Sequence, residues 1–351
     1  MSSESNLQKL AQMPDDTVLE VKDLNVCFDT DEGTVYAVDG VSFAMRRGRI
    51  LAIVGESGCG KSVTSYSILR LIQKPGRIAG GTITLHPKDG QSVEIVTLPE
   101  KSEQLYHLRG GQISMIFQEP MTALSPVHTV GNQICEAILL HQDVSEEKAR
   151  SLAIEMLGKV GIPGPEKRID QYPFEMSGGM RQRVVIAMAL VCNPEVLIAD
   201  EPTTALDVTI QAQIMRLLKD LQRDLGTTTL LITHDLGVVA QLADDVCVMY
   251  VGRIVESGCV RDILKNPRHP YTRALLKSLP SLAQKKARLP AIEGSVPSLH
   301  DKPAGCPFHP RCPYMKPGLC DKGPPPPIAD LGDQHFAACL RVDEPEVVGH
   351  V

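Results

Sequence analysis

One eight-residue stretch, Gly55-Glu56-Ser57-Gly58-Cys59-Gly60-Lys61-Ser62, constrains this chain more than any other feature. It matches G-x-x-x-x-G-K-[ST] in full. Before it runs Ile50-Leu51-Ala52-Ile53-Val54, a short continuous apolar segment typical of a strand buried on both faces. After it a helical pattern extends from about Lys61 to Ile72. Strand, glycine-rich turn and helix are the context a phosphate-binding loop requires. The glycines let backbone N–H groups turn inward, and the helix N-terminus adds the positive end of its dipole. Lys61 is placed to reach β- and γ-phosphates, and Ser62 to ligate magnesium.

A loop of this kind belongs to an α/β fold, and the rest of the chain agrees. Val196-Leu197-Ile198-Ala199 and Thr229-Leu230-Leu231-Ile232 read as two more buried strands, with helical segments before and between them. Leu24, Val26 and Phe28 alternate as in a half-buried strand. The pattern predicts a mostly parallel sheet. The first of those runs ends in Asp200-Glu201, at the carboxyl end of a strand where open α/β sheets bind ligands. Asp200 is a candidate magnesium ligand, and Glu201 a candidate to polarise an attacking water. The second ends near His234, a candidate contact for a γ-phosphate.

Net charge at pH 7 is -6, which gives no sign of a general nucleic-acid surface. The longest apolar run, Val184 to Cys192, has nine residues, and a membrane-spanning helix needs about 20. If the chain serves a membrane, other chains must cross it. Residues 1–16 are polar, lack the apolar core of a secretory signal and read as a loose tail.

The segment Met176-Ser177-Gly178-Gly179-Met180-Arg181-Gln182 separates this chain from other phosphate-loop proteins. Ser177, Gly178 and Gly179 open a helix expected to begin near Met180, whose exposed N–H groups form an anion site. The segment resembles the signature of ABC ATPases, usually L-S-G-G-Q, with methionine at its first and last positions. The resemblance covers roughly residues 17–280 and implies a phosphate-loop ATPase core with an inserted helical subdomain, about 119–175. It implies ATP and Mg2+ as ligands, with Lys61, Glu201 and His234 catalytic and Ser62, Gln118 and Asp200 on the metal. Gln118, in Phe117-Gln118-Glu119-Pro120, matches the Q-loop, and Thr204-Ala205-Leu206-Asp207 the D-loop that lines a dimer seam. Ser177, Gly178 and Gly179 would meet the γ-phosphate of a nucleotide held by an opposite subunit. Phe28 is the first candidate to stack on adenine and Tyr36 the second. The whole loop, Gly55, Glu56, Ser57, Gly58, Cys59, Gly60, Lys61 and Ser62, would hold the nucleotide.

The segment Asn266-Pro267-Arg268-His269-Pro270-Tyr271-Thr272 is similar to the H-P-Y-T stretch of oligopeptide/dipeptide importer ATPases. Glu119-Pro120-Met121-Thr122 fits the same subfamily. That likeness implies an ATPase domain over 17–262 and a C-terminal region over 263–351. It implies import of di- or oligopeptides, with nickel or another small solute as the alternative. The partners it implies are two transmembrane permease subunits, a second and often different ATPase subunit, and an extracytoplasmic substrate-binding protein, with no nucleic acid. The expected place is peripheral, on the cytoplasmic face of the cell membrane. Ribosome- or DNA-acting ABC ATPases usually fuse two cassettes or carry coiled coils, and this chain shows one cassette. A regulatory, non-catalytic subunit is disfavoured by the intact Lys61, Asp200, Glu201 and His234.

Six of the ten cysteines are scattered before residue 260; the others, Cys306, Cys312, Cys320 and Cys339, fall in a proline-rich tail. Prolines crowd 287–328, including Pro324 to Pro327 in a row, so regular interior structure is not expected there. The tail should be pinned by something other than a large core. Four thiolates can bind zinc or an iron–sulfur cluster, or the cysteines can stay free. The run Cys306-Pro307-Phe308-His309-Pro310-Arg311-Cys312-Pro313 resembles the tail of peptide-importer ATPases that hold a 4Fe-4S cluster, with zinc as the alternative.

Overall fold

The computed structural model describes residues 16–118, 123–203, 207–278 and 292–348. The strands in chain order are β1 (Thr17–Thr30), β2 (Gly33–Arg46), β3 (Ile50–Val54), β4 (Gly76–Leu85), β5 (Val93–Glu94), β6 (Ile113–Ile116), β7 (Val196–Asp200), β8 (Thr228–Thr233), β9 (Asp245–Tyr250), β10 (Arg253–Cys259), β11 (Ala329–Asp330) and β12 (Phe336–Ala337). The helices are α1 (Lys61–Ile68), α2 (Glu103–His107), α3 (Val130–His141), α4 (Glu146–Lys159), α5 (Pro165–Arg168), α6 (Gly178–Leu190), α7 (Val208–Leu225), α8 (Leu236–Leu242), α9 (Val260–Lys265), α10 (Pro270–Lys277) and α11 (Pro345–Val348). The described chain divides into two units. One takes in the described parts of Met1–Met45, Ile50–Leu85 and Ile232–Val351, and the other Arg46–Arg49 and His86–Leu231.

In the first unit β3 is buried along its whole length and pairs in parallel with β9, Val54 opposite Val248. The strand order continues β9-β10-β12-β11, and these further pairings are antiparallel. Val251 and Gly252 join β9 to β10 and both have positive φ, 46° and 79°. That is the two-residue turn whose twist suits a hairpin. A separate sheet contains the order β2-β1-β4, with β1 and β4 antiparallel and Phe28 opposite Gly76. The alternation in β1 pointed to one half-buried strand. A second sheet was not expected from the sequence, because no short turn marks the β1–β4 pairing of distant segments.

The second unit carries parallel β6 and β7, in the order β8-β7-β6, and the helices α3, α4, α6 and α7. Its helices start where a side chain can satisfy the open N–H groups of the first turn. Thr129, Ser145, Ser177 and Asp207 each accept a hydrogen bond from the backbone three residues on. Gly226, left-handed at φ 68°, ends α7. α3 and α4 both pack on α6, and Ile134, Ile138, Ala149, Ala153, Val185 and Ile186 on these helices are all buried.

Two helix boundaries and one expectation about the tail need correction. α1 stops at Ile68 and not near Ile72, because Arg70 turns to φ 52° and the Leu71 N–H bonds back to the Tyr66 carbonyl. α6 starts at Gly178, two residues before Met180, because Ser177 caps it. The described part of the tail does rest on a substantial core. Phe308 is fully buried among Tyr250, Tyr271 and His269, with ring centroids 5.4, 5.4 and 6.0 Å away. β12 extends the sheet at β10, and the buried Glu256 carboxylate accepts from the Arg268 and His269 N–H groups and meets His335 Nε2 at 2.8 Å. Between 292 and 328 the only regular element described is a 3-10 turn, His309–Arg311.

Candidate functional site

The glycine-rich loop is pressed against neighbouring backbone. A Cβ at Gly55 would fall 2.2 Å from the Met249 carbonyl oxygen, and one at Gly60, where φ is 105°, 2.4 Å from that of Ala37. Only glycine permits both approaches. Ser57 and Gly58 form the exposed rim, and Cys59 is buried, its thiol pushed up by that burial. Lys61 is 5% exposed, and its Nζ donates to the carbonyls of Gly55 at 2.9 Å and Glu56 at 3.1 Å. Among the described residues no carboxylate pairs with it. A buried ammonium met only by dipoles is a cation arranged for an anion. Ser62 follows on the first turn of α1, half-buried.

Elsewhere in the first unit, His234 is exposed just after β8 and just before Asp235, which caps α8 by accepting from the Gly237 and Val238 N–H groups. Phe28 is half-buried with its ring packed on Gly76. Tyr36 is 41% exposed and precedes Ala37, the residue Gly60 approaches.

In the second unit Asp200 ends β7 with no solvent exposure. Glu201 has φ 44°, a left-handed conformation uncommon for a non-glycine residue, and such positions concentrate at functional sites. Gln118 Nε2 donates to Glu201 Oε2 at 3.3 Å, so two residues 83 apart in the chain are brought together. Ser177 and Gly178 are exposed and Gly179 half-buried at the start of α6, and Ser177 Oγ accepts from the Met180 N–H at 3.3 Å. Met176 is buried beneath them, an apolar anchor where the usual signature has leucine. Asp207 is exposed and caps α7, its Oδ1 accepting from the Ile210 N–H at 3.0 Å. Glu119-Pro120-Met121-Thr122 and Thr204-Ala205-Leu206 lie outside the described residues.

The four tail cysteines, Cys306, Cys312, Cys320 and Cys339, line one apolar pocket in the first unit, together with His269, Phe308 and His309. Burial pushes the Cys306 thiol up to about 12 and the Cys339 thiol up to about 11, and raises Cys312 as well. All ten cysteines are free of disulfides. Among the described residues no three ligand-type side chains stand at metal-binding spacing. The donor set fits a thiolate-bound metal, and the thiols as arranged do not form a closed coordination shell.

Sequence reasoning missed two residues at the phosphate loop. The Tyr271 hydroxyl accepts from the Glu56 N–H at 2.9 Å, and Arg311 forms an ion pair with the Glu56 carboxylate at 2.7 Å. Both stood inside segments read as family marks, and nothing local in the sequence signals a contact across more than 200 residues.

Residues 38–204 match the family model described as ABC transporter, and residues 255–320 match the one described as oligopeptide/dipeptide transporter, C-terminal region. An oligopeptide transport ATP-binding protein of Bacillus subtilis is 52% identical over 94% of this chain and 91% of its own length. A probable peptide ABC transporter ATP-binding protein of Sinorhizobium fredii is 51% identical over 94% and 96%. Among solved structures, an ATP-binding cassette captured as a dimer after hydrolysis, bound to ADP and phosphate, is similar at 27% identity and a TM-score of 0.60 over 69% of this chain and 99% of its own. With the loop, the acid pair and the signature turn in place, these likenesses show that the chain belongs to the ATP-binding proteins of ABC transporters, an ATPase family whose hydrolysis is coupled to transport, in the branch carrying the oligopeptide/dipeptide C-terminal region.

Proposed function

We propose that this chain powers import of di- or oligopeptides, working peripherally on the cytoplasmic face of a membrane whose passage is formed by two permease subunits. No described helix is long and apolar enough to cross a membrane. The observation that carries the nucleotide part is the buried Lys61 ammonium, held by loop carbonyls inside a glycine-only curl. The peptide assignment is supported by the matched C-terminal region and by relatives named for peptide transport.

On this reading the N–H groups of Gly55 to Ser62 and the Lys61 ammonium hold the phosphates, and Phe28 stacks on adenine. Ser62, Gln118 and Asp200 offer hard oxygen donors that suit magnesium, which when bound neutralises charge on the β- and γ-phosphates. Glu201 accepts a proton from water as its oxygen attacks the γ-phosphorus. The bond from phosphorus to the β-phosphate oxygen breaks, and ADP and phosphate leave. His234 contacts the γ-phosphate and registers its loss. The Ser177-Gly178-Gly179 turn, being exposed, serves a nucleotide on a second ATPase subunit, with Asp207 at the seam. An extracytoplasmic binding protein delivers the peptide. Cys306, Cys312, Cys320 and Cys339 would hold a 4Fe-4S cluster, or zinc as the alternative, which would add a structural tie to the tail. Their shared pocket supports this.

The test is the reconstituted complex with its permeases and binding protein. Peptide-loaded binding protein should stimulate ATP hydrolysis severalfold and nickel should not; the reverse pattern overturns the peptide assignment. Anaerobic purification with iron and sulfide analysis tests the cluster. Four irons and four sulfides per chain are expected, and one zinc without sulfide overturns it.

A further inference from the structure

Glu56 poses a physical problem. It is the second residue of an anion-binding loop, and a carboxylate there repels the phosphates the loop should hold. The structure answers with Arg311, which lies 255 residues away in the chain. Its Nη1 donates to Glu56 Oε2 at 2.7 Å and its Nη2 to Oε1 at 3.0 Å, the two-point geometry that makes guanidinium–carboxylate pairs strong.

The arginine is itself fixed. Its side chain is 3% exposed. Nε donates to the Glu293 carbonyl at 3.1 Å, Nη2 to the Ile292 carbonyl at 3.3 Å, and Nη1 to the Tyr250 hydroxyl at 3.4 Å. It sits on the 3-10 turn His309–Arg311, beside the buried Phe308. The same residue of the loop is held a second time, through the Glu56 N–H and the Tyr271 hydroxyl. The Glu56 carbonyl in turn accepts from Lys61 Nζ. Moving Glu56 therefore moves a partner of the lysine that meets the phosphates.

We propose that Arg311 is a positioning residue of the nucleotide site: it neutralises and aims the Glu56 carboxylate so that the loop accepts a triphosphate. This rests on the phosphate-loop reading of Gly55 to Ser62. The C-terminal segment thereby becomes part of the ATP site of its own chain. Glu56 and Arg311 act as one neutral unit, and removing the arginine alone leaves a bare carboxylate beside the phosphates.

The test uses the full chain and a fluorescent ATP analogue with magnesium, at fixed ionic strength, with thermal unfolding recorded for each variant. Arg311→Gln should weaken nucleotide binding about tenfold, or about 1.4 kcal/mol. The double variant Glu56→Gln/Arg311→Gln should bind within about threefold of the parent. Arg311→Lys, which keeps the charge, should lose less than Arg311→Gln. A merely structural arginine gives no such rescue. Parent-like binding by Arg311→Gln, or a double variant as weak as the single, overturns the proposal. Lys61→Ala separates the two layers. Unchanged binding in that variant refutes the phosphate-loop reading itself, whereas its loss of binding together with no rescue refutes only the role of Arg311.

Discussion

Truncating Phe308 to alanine tests how the C-terminal segment is held. The ring is 1% exposed, edge-on to Tyr250 at 89°, and also touches Tyr271 and His269. A buried phenylalanine takes about 200 Å² out of water, which at 25 cal/mol per Å² is about 5 kcal/mol. Large-to-small substitutions of buried aromatics cost about 3–5 kcal/mol, so the two routes agree. Cys306 and Cys312 pack against the same core and report its opening. In metal-free protein under native conditions their reaction with a thiol reagent should accelerate roughly a hundred- to several-thousandfold in Phe308→Ala, the same free energy read as an opening equilibrium. Labelling rates within a few-fold of the parent would show that the segment is held by something other than the aromatic cluster.

Two further outcomes follow from the geometry. Gly60→Ala places a Cβ against the Ala37 carbonyl at a positive φ, so ATP binding should fall at least tenfold while helical content measured by circular dichroism stays the same. Burial pulls the His269 imidazole down to about 4, below its ordinary value of about 6.5. The unfolded chain then binds the extra proton between those values. Its contribution to stability is complete above pH 6.5 and is lost as pH falls towards 4, by about 3 kcal/mol in all. Urea midpoints should fall across that window, and less steeply in His269→Asn.

The loop's own residues were legible in the sequence because their chemistry is local: glycines, lysine and serine at fixed spacing between a strand and a helix. The Asp200-Glu201 pair was legible for the same reason. The 3.3 Å approach of Gln118 to Glu201 and the left-handed φ of Glu201 were not, since both arise from chain segments far apart in sequence. The tail misled most. Its prolines correctly signalled little regular structure, but proline content says nothing about where a single phenylalanine or arginine docks. Phe308 and Arg311 carry that docking.

On the proposed reading, hydrolysis of ATP by this chain turns on Glu201 receiving the proton from water. The most direct measurement is steady-state ATPase activity of the assembled transporter with Glu201→Gln, alongside nucleotide binding by the same variant. Glutamine keeps the shape and removes the base, so turnover should drop about 10²–10⁴-fold while ATP stays bound. Turnover close to that of the parent would show that Glu201 is not the group that receives the proton.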